Sequence, residues 1–323
     1  HEDERRRTGA FYTPKQWVSH VHTMIADVWG KDWREKYIVW DPAWGTGNLT
    51  RGYEFSQLYV STLNEEDLNL GLMLEEKKNR TGFVFDFLND DLSKLPKSLQ
   101  RAIREKKPIL LLMNPPYGTA NDKNADSAIS RRTGMARGKL NEKKVESGVK
   151  GCSQQLYAQF LFRLMKYEHI DVAVFCVPLF LTGESFSQFR DLWFSHKYFC
   201  GGMLFPAHVF QGVSKSWGVS FTMWKRGKTQ REDIELKIKV RDGTKITTLL
   251  SKKVYSLDHK KSLRVWAKDS HSKKHTLQQL PLTNAINISR GSVRGRIESG
   301  ALGYLWCNAN SLEHNQSHVG IFT

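Results

Sequence analysis

Cysteine is scarce in this chain and long apolar runs are missing. The four cysteines, Cys152, Cys176, Cys200 and Cys307, are too widely spaced for a zinc pattern or a disulfide framework, so a reducing cytoplasm is the expected setting. No stretch approaches the ~18 apolar residues of a membrane-spanning helix. No signal peptide is visible either. The 11 histidines are scattered, and no His or Cys constellation stands near the motifs described below, so no metal site is expected. Acidic residues are also in short supply, 33 against 49 basic ones, for a formal net charge of +16. That surplus points to an anionic partner, nucleic acid first. The 323 residues, 40% of them hydrophobic, suffice for one large domain plus a smaller one, or for two. The chain begins at His1 without Met and reads as a fragment of a longer protein.

The most informative segment is Asn114-Pro115-Pro116-Tyr117. It ends the apolar run Ile109–Met113, which reads as a buried parallel strand, and the two prolines stop that strand abruptly. A rigid loop at the C-terminal end of such a strand lies where open α/β sheets place their ligands. The Asn114 amide oxygen can accept hydrogen bonds from an exocyclic amine, and the Tyr117 ring can stack on a planar base. Alone, the motif also fits an ordinary strand-ending turn.

Three further units precede it. Lys36–Trp40 reads as a strand that ends in Asp41-Pro-Ala43-Trp44-Gly45-Thr-Gly47-Asn48, with a helix expected from Asn48 onward. Gly45 and Gly47 permit close backbone approach to a ligand, and the Asp41 carboxylate suits a ligand's ammonium group. The dinucleotide fingerprint Gly-x-Gly-x-x-Gly is incomplete, with Arg51 ahead of Gly52, so a pyrophosphate site is disfavoured. Leu58–Leu63 reads as a second strand, followed by Glu65, Glu66 and Asp67. Those acids suit ribose hydroxyls and equally suit the first turn of a helix. Phe83–Phe85 reads as a third strand. Asp86 and Phe87 after it suit an adenine amine and ring, or a helix cap with a core aromatic. One βα unit separates each tip from the next, as a parallel, doubly wound α/β sheet requires, which sets all four tips on one sheet edge.

Taken together these motifs resemble those of the S-adenosylmethionine-dependent DNA adenine-N6 methyltransferases. Asp41–Asn48 is similar to that family's first cofactor motif, Asp86-Phe87-Leu88 to its cofactor-adenine motif, and Asn114–Tyr117 to its catalytic motif. Gly9–Pro14, with Tyr12 and Thr13, resembles the motif that holds the methionine end of the cofactor. It precedes the first cofactor motif, which is the gamma-type order of restriction–modification methylases and their plasmid- or phage-borne relatives. The resemblance covers about Gly9 to Lys225. It implies a Rossmann-like fold and a cofactor held by Tyr12, Thr13, Asp41, Ala43, Gly45, Gly47, Glu65, Asp67, Asp86 and Phe87. It also implies catalysis by Asn114, Pro115, Pro116 and Tyr117 on an adenine flipped out of double-stranded DNA. Two departures stand out. Trp44 occupies a position where relatives carry a small residue or cysteine, and the Asn64–Asp67 segment does not align uniquely. RNA-adenine or protein-glutamine transfer, and a catalytically silent DNA-binding subunit, are the competing readings.

Residues 119–152 form a polar, glycine-bearing basic stretch, read as a mobile loop over DNA and the flipped base or as a plain surface linker. Beyond it a helix is expected from Ser153 to about Glu168, a fifth strand at Ile170–Pro178, a helix from about Gly183 to His196, and strands at Phe199–Phe205 and Val219–Trp224. The domain reading is 1–225 for catalysis and 226–323 for a smaller basic segment, all or part of a target-recognition domain. Arg290, Arg294 and Arg296 there suit phosphates, or are simply exposed. Glu235-Leu236-Lys237 has nuclease-like spacing, but the alternation of Ile234–Val240 explains it better as a half-wet strand. A fused or associated nuclease or specificity subunit is the further partner that such systems imply.

Overall fold

The computed structural model describes residues 13–75, 78–118, 152, 155–165, 167–210, 218–230, 233–243 and 245–255. Tyr12, nearly all of the basic stretch 119–152, Ser153, and the segment holding Arg290, Arg294 and Arg296 lie outside the described residues. The chain divides into two units, 1–257 and 258–323, and every described residue falls in the first.

The described core is a nine-stranded sheet in the order β3-β2-β1-β4-β5-β7-β6-β8-β9. The strands are β1 (Ile38–Asp41), β2 (Gln57–Thr62), β3 (Arg80–Val84), β4 (Ile109–Met113), β5 (Asp171–Cys176), β6 (Lys197–Pro206), β7 (Gly218–Arg226), β8 (Glu235–Asp242) and β9 (Lys245–Lys253). Strands β3, β2, β1, β4 and β5 are mutually parallel. β7 runs antiparallel to β5 and to β6, and β8 returns parallel to β6. Only β7 and β9 therefore oppose the rest. This is a mostly parallel, Rossmann-like α/β sheet, and the C-terminal tips of β1 to β4 share one edge.

β4, an unbroken apolar run, and β5, apolar after Asp171, are buried along their whole length. Helices cover both faces; in chain order the first five described are α1 (Lys15–Trp29), α2 (Trp33–Lys36), α3 (Glu65–Met73), α4 (Lys97–Arg104) and α5 (Leu156–Leu164). The Trp224 ring of β7 stacks on Phe194 of the helix Ser187–His196, with ring centres 6.0 Å apart. Its neighbour Lys225 points the other way and donates from Nζ to Val28 O, 3.0 Å off, on α1 (Lys15–Trp29). α1 buries Trp17, Val18, Val21, His22, Ile25 and Trp29, a stripe at helical spacing. Among the described residues no helix is long and apolar enough to cross a membrane.

The helix expected from Asn48 does not form. A single turn closes where the Thr50 and Arg51 N–H groups both bond Gly47 O, at 3.1 and 2.9 Å. Gly52, at φ 81°, then turns the chain out of helical geometry. The expected helix after the basic stretch spans Leu156–Leu164 and is buried on all sides. The alternating strand is β8. Opposite Ile238 and Lys239 the pairing skips Leu249, a bulge on β9, and Lys239 is buried, its Nζ donating to Thr248 Oγ1 at 2.7 Å.

Candidate active site

Four polar strand tips line up along the sheet edge in the order Asp86, Glu65 to Asp67, Asp41, Asn114. With about 4.8 Å between neighbouring strands, the row spans roughly 14 Å.

Asp41 ends β1 and is 1% exposed. Its Oδ1 accepts the Ala43 N–H at 3.1 Å, a turn set by Pro42. Burial pushes this carboxyl up to about 8, and the Ala43 hydrogen bond offsets that only in part. Among the described residues no cationic side chain offsets it. Without a ligand the group is thus mostly protonated near neutral pH, and a cationic ligand group would favour its ionised form.

The turn that follows depends on Gly45 at φ 54° and Gly47 at φ 83°. A Cβ at Gly45 would meet nothing within 4 Å, whereas one at Gly47 would lie 2.8 Å from the Trp44 ring. Trp44 is buried. Its indole N–H donates to Thr50 Oγ1 at 2.9 Å, and the Arg80 guanidinium lies over the ring at 5.3 Å. The ring also reaches Gly71 on α3 (Glu65–Met73), where a Cβ would come within 2.5 Å of it. The bulky residue at the departing position is thus sunk between the glycine turn and α3, and Gly71 supplies the room.

The acids after β2 form the first turn of α3, where the helix dipole favours negative charge. Glu65 and Glu66 are exposed and Asp67 is half-buried. After β3, Asp86 caps its own loop. Its Oδ1 accepts the N–H groups of Leu88 and Asn89 at 3.0 and 3.2 Å, and Oδ2 accepts the Asn89 side-chain amide at 2.9 Å. Phe87 is buried and stacks on Phe160, ring centres 4.9 Å apart. The loop is gripped from below by Arg163, which donates to Phe87 O and Asp90 O. Arg163 is 6% exposed and lies on α5 (Leu156–Leu164), 73 residues beyond Asp90. Its only sequence signal is a lone charge inside an apolar helix.

At the tip of β4, Asn114 is half-buried and held from two sides. Its Nδ2 donates to Thr13 Oγ1 at 3.1 Å, and its Oδ1 accepts from the Tyr117 hydroxyl at 2.6 Å. Tyr117 is 9% exposed, and burial pushes its phenol well above the ordinary range, so the hydroxyl keeps its proton as a donor. Phe210 meets the ring at right angles, centres 6.5 Å apart. Pro115 is buried and Pro116 half-buried, which makes the loop rigid. The structure thus brings Thr13, Asn114 and Tyr117 together and sets Asp41 on the adjacent strand. Tyr12 lies outside the described residues.

No family model and no curated protein matches this sequence. Solved structures do resemble it. The modification subunit of a candidate type I restriction enzyme from Vibrio vulnificus is 15% identical, with 87% of this chain and 57% of that one covered and a TM-score of 0.50. The type IIG restriction endonuclease BpuSI is 17% identical over 74% of this chain and 28% of that one, with a TM-score of 0.49. A candidate class I S-adenosylmethionine-dependent methyltransferase from Listeria monocytogenes is 14% identical over 81% and 70%, with a TM-score of 0.46. The chain spans little more than half of the Vibrio subunit. The likeness to the Vibrio subunit shows the fold: a Rossmann-like, mostly parallel α/β sheet.

Proposed function

We propose that this protein transfers a methyl group from S-adenosylmethionine to the N6 amine of an adenine flipped out of double-stranded DNA. The observation that carries the reading is the amide of Asn114, oriented on a rigid strand tip beside the buried carboxylate of Asp41. The cofactor's chemistry is an electrophilic methyl group on a sulfonium. Asp41 fits its ammonium group because the carboxyl is buried and, among the described residues, no cationic side chain offsets it. The acids Glu65 and Asp67 would take ribose hydroxyls, and Asp86 with Phe87 the adenine. Ala43, Gly45 and Gly47 line the turn, and Tyr12 and the backbone of Thr13 would belong to the methionine end, the Thr13 hydroxyl being engaged by Asn114.

The N6 lone pair of adenine is delocalised into the ring, so the amine is a poor nucleophile. Asn114 Oδ1 and the Pro115 carbonyl would accept its two hydrogens, drawing the nitrogen toward tetrahedral geometry. Catalysis rests on position and on oriented dipoles rather than on a strong base. Tyr117 is nearly buried here, so stacking on a flipped base requires its ring to be uncovered. The net charge of +16 favours nucleic acid over a protein substrate. Because β8 and β9 belong to the described sheet, target reading is sought in residues 258–323. The name of the Vibrio subunit supports association with further restriction–modification subunits.

The test is methyl transfer from labelled S-adenosylmethionine to unmethylated duplex DNA, read after digestion to nucleosides. Label in N6-methyldeoxyadenosine, lost in Asn114→Ala while cofactor binding persists, supports the reading. Cofactor binding without label in DNA directs attention to RNA, protein or a missing subunit. Loss of cofactor binding in the wild type favours a silent DNA-binding subunit.

A further inference from the structure

We infer that Thr13 is a positioning residue for Asn114, fixing which way round its amide is presented. This rests on the proposed reading of Asn114 as the group that meets the amine. An amide turned by half a circle would present N–H hydrogens to N–H hydrogens, and the acceptor that the chemistry needs would face away. Something must therefore distinguish its two ends.

Two hydroxyls flank the amide, and each is capable of donating or accepting. Distance separates the two arrangements. The 2.6 Å contact to Tyr117 is an O–H···O distance and the 3.1 Å contact to Thr13 is an N–H···O distance. Reversing the amide would demand an N–H···O bond at 2.6 Å and an O–H···O bond at 3.1 Å, both poor. Thr13 is also placed rigidly. It is 4% exposed and precedes Pro14, which restricts its backbone to extended conformations. Pro14 caps α1, and Trp17 in the first turn of that helix stacks on Phe205 of β6 with ring centres 4.2 Å apart. The hydroxyl is thereby tied to the sheet that carries Asn114, across 101 residues of sequence.

The test pairs Thr13→Val, which keeps shape and removes the hydroxyl, with Thr13→Ser, which keeps the hydroxyl. Urea unfolding in a double-mutant cycle with Asn114→Ala reads the contact without any activity. Thr13→Val should raise the unfolding constant about five- to tenfold when Asn114 is present and less than about twofold when it is absent. Additive effects overturn the inference. On duplex DNA, Thr13→Val should lower kcat about tenfold, with the cofactor dissociation constant within about twofold of wild type, and Thr13→Ser should recover most of the rate. A weaker cofactor affinity at unchanged kcat would make Thr13 a cofactor contact and overturn the positioning role. If the wild type leaves no label in DNA, the functional reading fails on its own, and the unfolding cycle still decides whether Thr13 holds the amide.

Discussion

Replacing Asp41 with asparagine should stabilise the protein at alkaline pH and weaken its hold on an ammonium-bearing cofactor. In the unfolded chain this carboxyl titrates near 3.9, and in the folded protein burial pushes it up to about 8. Between those values the native state holds a proton that the unfolded chain has released. Folding then takes up a proton, so stability falls as pH rises from about 4 to about 8 and levels off above. Taken at face value, the difference corresponds to roughly 5–6 kcal/mol. Relaxation around buried charges reduces such penalties, so about 3 kcal/mol is the working figure. Asparagine keeps the shape and the acceptor for the Ala43 N–H but carries no charge. Asp41→Asn should therefore match the wild type near pH 4 and exceed its Tm by about 6–12 °C at pH 8.5. Thermal unfolding of both proteins in cofactor-free buffer from pH 4 to 9 measures this. Parallel Tm curves would refute the reasoning. In cofactor titrations the wild type should bind more tightly as pH approaches 8, because the ammonium group needs the carboxylate. The variant should bind weakly at every pH.

Arg163→Met leaves the carbonyls of Phe87 and Asp90 without their donor and should cost about 2–4 kcal/mol in calorimetry. Arg163→Lys should recover only part, since an ammonium group lacks the planar fork; full recovery would count against the two-carbonyl grip. Gly71→Ala drives a methyl group into the Trp44 ring and should cost about 1–3 kcal/mol in urea unfolding. In a Trp44→Ala background the same change should cost little, and equal costs in both backgrounds would show that the ring is not the obstacle. Asp86→Ala should weaken cofactor binding measured by calorimetric titration; an unchanged affinity would leave Asp86 as a loop cap alone.

The parts of this fold legible in the sequence are those written locally. Ile109–Met113 is a run too short for a helix, and Pro115 and Pro116 mark where it must stop. Ile38–Asp41 is closed in the same way by Pro42 and two glycines. Parallel pairing then puts those ends on one edge. What escaped are features that depend on residues far apart. The place of β7 between β5 and β6 leaves no local trace, nor does the addition of β8 and β9 to the same sheet. α1 carries a clear helical stripe, yet its ties to the site run to distant partners: His22 Nε2 donates to Leu49 O at 2.8 Å, and Thr13, just ahead of the helix, holds Asn114. Arg163 meets the Phe87 loop across 76 residues, and Trp44 finds Gly71 on a helix beyond the next strand. The helix expected after Gly47 failed for a local reason, the positive φ of Gly52.

The strand order also bears on how the molecule is made. β5 is buried along its whole length, yet its outer flank is closed by β7, which begins at Gly218. About 40 residues of chain separate the two, and translation at roughly 5–20 residues per second takes several seconds to deliver them. During that interval the nascent sheet presents an unpaired apolar strand, the kind of edge that recruits other chains. Production of this protein should therefore be sensitive to chaperone supply and to growth temperature. Truncations ending between Cys176 and Gly218 should aggregate, whereas those ending after Arg226 should hold the sheet together.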